Sequence, residues 1–327
     1  MPPQTARRRT VTTTHQTDHA ESLQLLRENI AKVFLGHPDV IDRLLACLLA
    51  KGHALIEDVP GVGKTLLATA LARSLGCDFS RIQMTPDLLP ADVLGVSILD
   101  RNTQDFRFRK GPVFANIILA DEINRTTPRT QSALLEAMND SSVSVEGQLL
   151  PLPQPFMVVA TQNPVSFEGT YPLPENQLDR FLMKLAVGYP SQQEEARVLD
   201  KRPSDDLLAH LAPVLSAQDV LALQAAAEAV RLEPVLRDYI IAIAAVSRAH
   251  DELAVGISPR GTLAMAAAAR AVALVRGRDY CIPEDITSLA IPVFAHRVVS
   301  RSYLSTGDTA GNIGVVEDLL RRVPSPD

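Results

Sequence analysis

The sequence predicts an α/β domain built on a parallel sheet, followed by a smaller all-α domain. Two short apolar runs, Ala54–Ile56 and Ile117–Ala120, each lead directly into polar residues. Strands that are buried on both faces of a parallel sheet show this pattern. Beyond Ser216 the composition changes to Ala, Leu and Val at helical spacing. A length of 327 residues also suits about two domains.

The first part of the chain contains a tail and two helices. Residues 1–19 include three consecutive arginines and a Thr-rich run with almost no apolar side chains, so we predict a disordered tail. A basic arm that binds an acidic surface is the alternative. Apolar residues then recur at helical spacing from Glu21 to Val33 and from Val40 to Leu49. The intervening turn, Phe34–His37, either packs against the core or covers an adenine, and the sequence leaves both open.

The stretch His53–Thr65 has the pattern of a phosphate-binding loop. Gly61 and Gly63 leave room for backbone N–H groups to surround an anion at the start of the next helix. Lys64 would reach the β- and γ-phosphates of ATP, and the Thr65 hydroxyl would join the shell of a magnesium ion. The predicted nucleotide-binding residues are Asp58, Val59, Pro60, Gly61, Val62, Gly63, Lys64, Thr65 and Leu66.

One residue of this loop departs from the general pattern, which has glycine where this chain has Asp58. Aspartate tolerates unusual backbone angles and often bonds its own backbone in turns, so the loop can accommodate it. We expect its carboxylate to point away from the phosphates. Replacing it with glycine should change nucleotide affinity by about 1 kcal/mol or less.

Two acids follow the apolar run Ile117–Ala120, at the strand end where ligands collect in α/β sheets. Asp121 would hold the magnesium ion, and Glu122 would orient and deprotonate the attacking water. Asn163 follows another buried strand, Phe156–Thr161, where its amide could position water and sense a γ-phosphate, although Asn before Pro is also a common turn pair. Together with the loop, the two acids predict ATP hydrolysis.

Two segments of the α/β domain are predicted to be hairpins. Phe106–Lys110 alternates Phe with Arg, as an arm with one apolar and one solvated face does. Its basic residues either face solvent or touch nucleic acid. Val143–Leu152, with Glu146 and Gly147 in its middle, has the pattern of the second hairpin.

The predicted domain boundaries follow from these elements. The α/β domain covers residues 20–190 and ends with a strand at Leu182–Val187. Residues 191–215 form the linker, with a helix near 193–201 and a polar run at 203–206, and residues 216–327 form the helical domain. The apolar spacing there predicts helices near 217–230, 234–249, 260–275, 283–298 and 313–322.

Composition limits the class of protein and its compartment. A net charge of −6, with no long stripe of Lys and Arg, argues against nucleic acid as the main partner. Cys47, Cys77 and Cys281 lie far apart in apolar surroundings and are predicted to be reduced core residues. No apolar run approaches the ~20 residues of a membrane span, and no apolar signal segment follows the basic N-terminus. We therefore expect a cytoplasmic protein.

Five motifs jointly resemble those of the MoxR family of AAA+ ATPases: HALIEDVPGVGKT, ILADEINR, VVATQNP, EGTYPLPENQLDRF and ISPRGTL. The similarity extends over nearly all of residues 20–325. The two hairpins resemble inserts of the helix-2-insert clade, which includes the magnesium chelatase ATPase subunits. The resemblance implies a nucleotide-binding domain with a helical lid, assembled into a ring of six subunits with ATP between neighbours.

The same resemblance implies roles for three residues. Asn163 matches sensor 1, Arg260 matches sensor 2, and Arg180 matches the arginine finger that is supplied to the neighbouring subunit. Such a finger neutralises charge on the transferring phosphoryl group. A surface salt bridge is the alternative role for Arg260.

Three functions of different classes fit these features. As the resemblance implies, the first is an ATP-driven, chaperone-like remodeller that matures a protein complex or metalloenzyme with a von Willebrand A domain partner. The others are a nucleic-acid motor and a nucleotide-switched scaffold that barely hydrolyses ATP. The hairpin Val143–Leu152 holds Glu146 and no cation, whereas a loop that tracks a nucleic-acid strand needs cations. Every catalytic position is filled, which argues against the scaffold, so the sequence favours the remodeller.

Overall fold

A five-stranded parallel sheet organises the first part of the chain. The computed structural model describes residues 12–59, 61–100, 104–163, 170–201, 208, 210–301 and 310–326. The strands of the sheet are β1 (Ala54–Glu57), β2 (Phe79–Gln83), β5 (Ile117–Asp121), β8 (Met157–Gln162) and β9 (Met183–Leu185). In space they lie in the order β2-β5-β8-β1-β9, all parallel. Strand β1, which precedes the predicted phosphate loop, therefore lies between β8 and the edge strand β9.

Helices cover both faces of this sheet. One face carries α1 (Thr12–Ala31), α2 (Pro38–Leu49) and α3 (Lys64–Ser74), and the other carries α4 (Pro90–Leu94) and α5 (Pro128–Asp140). Along β1 the side chains alternate between the two cores: Ala54 and Ile56 belong to the first and Leu55 to the second, all fully buried. Burial on both faces explains the apolar runs of β1, β5 and β8, whereas the edge strands β2 and β9 include Arg81 and Lys184.

Both predicted hairpins form. Strands β3 (Gly95–Leu99) and β4 (Phe106–Lys110) pair antiparallel, as do β6 (Ser142–Val145) and β7 (Gln148–Pro151). The apolar face of the first hairpin is only partly covered. The Phe108 ring packs edge-on against Phe114 with 5.9 Å between centroids, whereas Phe106 is 72% exposed.

The last part of the chain is helical, as predicted. After α6 (Glu175–Leu178) and α7 (Gln192–Lys201), its helices are α8 (Ala217–Ala229), α9 (Pro234–Arg248), α10 (Pro259–Val275), α11 (Pro283–Thr287), α12 (Ala290–Phe294) and α13 (Ala310–Arg322). A short antiparallel pair, β10 (Leu253–Val255) and β11 (Val299–Ser300), lies among them. Helix α10 packs against α2 and α8, so the helical part shares one continuous core with one face of the sheet.

Two sequence-based boundaries were wrong. A single helix over 283–298 was expected, but α11 and α12 are separate because Pro292 has no N–H to bond the Ser288 carbonyl. Pro292 instead lies in the first turn of α12, where no intrahelical bond is needed. The expected disordered tail covered residues 1–19, yet α1 begins at Thr12. A helix that is anchored by buried later turns can extend through its own backbone hydrogen bonds, without apolar residues to signal it.

Some expectations fall on residues outside the described ranges. These are the tail residues 1–11, Pro60 of the loop and the polar linker run 203–206. Within the described residues, no helix has the length and apolar character needed to cross a bilayer. All three cysteines are free thiols, and burial raises the pKa of Cys281 to about 11.

The buried side chain of His53 connects the sheet to helix α5. Val158 N–H donates to His53 Nδ1 at 3.0 Å, so the ring proton is on Nε2, which donates to Met138 O at 2.9 Å. His53 thereby ties β8 to α5 from the residue before β1. Burial lowers the pKa of His53 to about 4, below its ordinary value of 6.5.

This buried imidazole predicts a loss of stability in mild acid. Between its folded pKa near 4 and its unfolded pKa near 6.5, the unfolded chain binds more protons, so stability falls as the pH decreases. From pH 7.5 to pH 5 the contribution of His53 should fall by about 2 kcal/mol. Urea unfolding of the wild type and of His53→Gln at both pH values measures it. The variant should start less stable but lose less on acidification, and equal losses in both proteins would contradict the assignment.

Candidate functional site

The predicted phosphate loop connects β1 to α3 at the C-terminal edge of the sheet. Gly61 and Gly63 have φ values of 89° and 88°, a left-handed conformation that favours glycine. Gly63 is the N-cap of α3, so the free N–H groups of the first helical turn face into the loop. The Lys64 ammonium lies across the loop, where it donates to Asp58 O and, at 3.2 Å, to Gln162 O. Burial lowers the pKa of Lys64, and the carboxylates nearby, Asp58 first among them, oppose that shift.

Asp58 has a structural partner that sequence reasoning missed. Its Oδ2 accepts hydrogen bonds from Val187 N at 2.8 Å and Gly188 N at 2.6 Å, just beyond β9, while Oδ1 accepts from Val59 N at 2.7 Å. From the sequence alone, Asp58 was explained only as a residue that the loop can accommodate in place of glycine. The carboxylate in fact joins the start of the loop to the chain segment that leaves the sheet. No local pattern could indicate this, because the partners are about 130 residues away.

Asp121 and Glu122 lie beside the loop, as the sequence predicted. Asp121 ends β5, and its Oδ2 is 3.5 Å from Thr65 Oγ1. These are the hard oxygen donors that magnesium prefers, so the two residues fit that ion. Among the described residues no cluster of three or more His, Cys, Asp or Glu could hold a metal ion.

Thr161, at the end of β8, connects the two acids. Its hydroxyl donates to Asp121 Oδ1 at 2.6 Å and accepts from Glu122 N at 2.9 Å. Glu122 has a left-handed backbone with φ 57°, and its carboxylate pairs with Arg125 at 2.9 Å. Arg81 on β2 donates to the second carboxylate oxygen of Asp121, Oδ2, at 2.6 Å. Sequence reasoning overlooked Thr161 and Arg81, because only the structure shows that β8 and β2 are the two neighbours of β5.

Two further elements complete this edge of the sheet. Asn163 follows β8, and its backbone carbonyl accepts from Asn124 Nδ2 at 3.5 Å, next to the residues that follow Glu122. The turn Phe34–His37 reaches the loop, because the Phe34 ring would lie 3.4 Å from a Cβ atom added at Gly63. The structure thus gathers the loop, both acids, Asn163 and this turn at one edge.

The two predicted arginines lie elsewhere. Leu182 N–H donates to His53 O at 2.8 Å, so Arg180 precedes β9 at the N-terminal edge of the sheet. Arg180 Nη1 donates to Leu135 O at 2.7 Å, and its buried Nε has no hydrogen-bond partner. Arg260, at the start of α10, donates to Asn139 Oδ1 at 2.9 Å and lies 3.9 Å from Asp179 Oδ2.

The length of β1 separates these arginines from the loop of the same chain. Four strand residues span roughly 13 Å at about 3.3 Å per residue. Arg180 therefore does not meet Lys64, Asp121 or Glu122 within one chain, and Arg260, beside Asp179, does not either. The residues assigned to catalysis therefore form two groups, one at the C-terminal ends of the strands and the other at their N-terminal ends.

Comparisons with known proteins match this architecture. Residues 53–183 match the family model "ATPase family associated with various cellular activities (AAA)", and residues 245–313 match the AAA lid domain. YeaC of Bacillus subtilis is 53% identical over 83% of this chain and 85% of its own length. The chaperone MoxR1 of Mycobacterium tuberculosis is 42% identical over 91% of this chain and 80% of its own. The crystal structure of a Cytophaga hutchinsonii protein classed as an ATPase superposes with a TM-score of 0.87 and 35% identity, covering 96% of this chain and 98% of that one.

The hydrogen bonds of Asp58 predict a stability role for this carboxylate. Asp58→Gly leaves up to three backbone N–H groups without their acceptor, which should lower the free energy of unfolding by about 1–3 kcal/mol. Asp58→Asn is the matched control, because its amide oxygen still accepts from part of this set and should cost less. Urea unfolding at pH 7 measures both. A glycine variant as stable as the wild type would show that these hydrogen bonds contribute nothing net.

Proposed function

This chain belongs to the MoxR family of AAA+ ATPases, and we propose that it hydrolyses ATP in order to remodel a client protein. One observation carries the proposal: Thr65 and Asp121 meet at 3.5 Å, while Thr161 binds both Asp121 and Glu122. A phosphate loop, a metal-binding carboxylate and a candidate base are thereby joined at one edge of the sheet. Phosphoryl transfer needs these parts and little covalent chemistry.

Each residue has a part in the proposed hydrolysis. The N–H groups of the loop and of the first turn of α3 bind the phosphates, and Lys64 turns from its carbonyl partners toward the β- and γ-phosphates. Thr65 and Asp121 would hold a magnesium ion, which would supply neutralisation of the phosphate charge. Glu122 takes a proton from the attacking water, and Asn163 orients that water.

The two arginines on the opposite edge support assembly. Because Arg180 and Arg260 do not reach the loop of their own chain, we propose that they act on ATP bound by a neighbouring copy. Arg180 as a residue is only partly buried, so its guanidinium can still contact an anionic group that another copy supplies. The proposed assembly is a ring, of six subunits, in which each interface completes one ATP site.

The client and partner belong to the finer part of the proposal. One of the relatives, MoxR1 of Mycobacterium tuberculosis, is named a chaperone, and this name supports action on another protein. We propose that a von Willebrand A domain protein delivers or holds the client, a protein complex or metalloenzyme in the cytoplasm. The tip of the β6–β7 hairpin, with Glu146 and Gly147, supplies no cation for a nucleic-acid strand.

A subunit-mixing experiment tests the trans arrangement. Glu122→Gln should keep ATP affinity and lower turnover by ~10²-fold or more, because the amide cannot act as the base. Arg180→Ala should also bind ATP and turn over poorly. Mixed rings should recover steady-state ATPase activity where an intact Glu122 meets an intact Arg180. Two inactive parents that co-assemble and stay inactive in every mixture would refute the trans finger.

A capture experiment tests the partner. ATP held by the Glu122→Gln variant should strengthen binding to a von Willebrand A domain protein, since ligand and partner sites couple by roughly 1–3 kcal/mol. The Glu122→Gln variant is used to capture proteins from the native cytoplasm, with and without nuclease treatment. The Lys64→Ala variant, which should not retain ATP, is the control bait. Recovery of nucleic acid and its enzymes, with no von Willebrand A domain protein above that control, would favour the motor instead.

A further inference from the structure

Arg297 of the lid holds the segment that carries the proposed arginine finger. It follows α12, and its side chain is 3% exposed. Its guanidinium donates to Asp179 Oδ1 at 2.8 Å, to Phe181 O at 2.7 Å and to Leu182 O at 3.0 Å. Arg180 lies inside this segment, so the lid fixes the backbone on both sides of it.

The guanidinium suits this task because its donors form a rigid planar fork. Two further carbonyls, those of Asp179 at 3.3 Å and Val293, also accept from it, and its Nη1 lies 2.7 Å from His296 Nε2. Burial lowers the pKa of Arg297 to about 10, so the group stays charged at neutral pH and needs a counterion. Asp179 is that counterion, and it belongs to the α/β domain rather than to the lid.

Asp179 also contacts the second proposed trans residue. Its Oδ1 binds Arg297, while its Oδ2 lies 3.9 Å from Arg260 Nε. One carboxylate therefore touches two lid arginines and directly precedes Arg180. Any shift of the lid relative to the sheet would move Arg180 and Arg260 together.

We propose that Arg297 and Asp179 form a positioning pair through which the lid sets the place of Arg180 at the neighbour's ATP. The inference rests on the proposed trans role of Arg180. Neither residue touches the nucleotide; both act through Arg180, and Asp179 also contacts Arg260. The lid of one subunit thereby controls hydrolysis in the next subunit and not in its own.

This direction can be tested with double variants in mixed rings. In the reference mixture, Arg180→Ala subunits supply the catalytic base and Glu122→Gln subunits supply the finger. Arg297→Lys is added either to the finger-supplying subunit or to the base-supplying subunit. Asp179→Asn, which keeps size and removes charge, is the second variant in both positions.

The expected result is asymmetric. On the finger-supplying subunit, either variant should lower the recovered kcat by ~10-fold or more, because a small misplacement of a catalytic group costs this much. On the base-supplying subunit the same change should leave the recovered kcat within about 2-fold of that of the reference mixture. KM for ATP should stay unchanged in both arrangements. Arg278→Lys is the matched control. It alters a largely buried lid guanidinium that pairs with Asp285, also within the lid, and should show no asymmetry.

Each other outcome overturns the inference. Equal losses on both subunits would mean that the pair only fastens the lid, and no loss on either would mean that it positions nothing. A reference mixture without recovery would refute the trans finger itself, which separates failure of the proposed function from failure of the positioning pair.

Discussion

The polarity of the parallel sheet is the constraint on which the rest of the site depends. Every strand of the sheet runs in one direction, so all of its C-terminal ends meet at one edge and all N-terminal ends at the other. The loop after β1 and the acids after β5 share the first edge, whereas Arg180, before β9, lies at the second. The two ends of the strands are roughly 13 Å apart, so the division into two groups follows from the topology itself.

Small polar contacts convert this topology into a defined site. The Thr161 hydroxyl fixes the spacing of Asp121 relative to Glu122, and Asp58 fixes the loop against the end of β9. His53 likewise fixes β8 relative to α5, at the end of β1 that lies away from the phosphate loop. Each of these groups is buried or half-buried and satisfied by backbone or side-chain partners, which makes the arrangement specific.

Local patterns in the sequence predicted strands β1, β5, β8 and β9, both hairpins, the loop and the two acids. Those features depend on neighbouring residues: apolar runs, turn glycines and the polar residues that end a strand. The roles of Asp58, Thr161 and Arg297 could not be predicted in this way, since their partners are about 40 to 130 residues distant. The break between α11 and α12 is a different case. Pro292 was visible, but the Ala and Val around it suggested one continuous helix.

The separation of the two edges has a consequence for symmetry. An interface that joins the loop edge of one copy to the arginine edge of the next uses two different patches, so it is heterologous. In an open chain of such copies, the subunit at one end keeps an incomplete ATP site, and the subunit at the other end has an unused arginine. Only closure of the proposed ring would give every copy both a donor and an acceptor, so under this proposal the activity per subunit depends on closure as well as on the number of contacts.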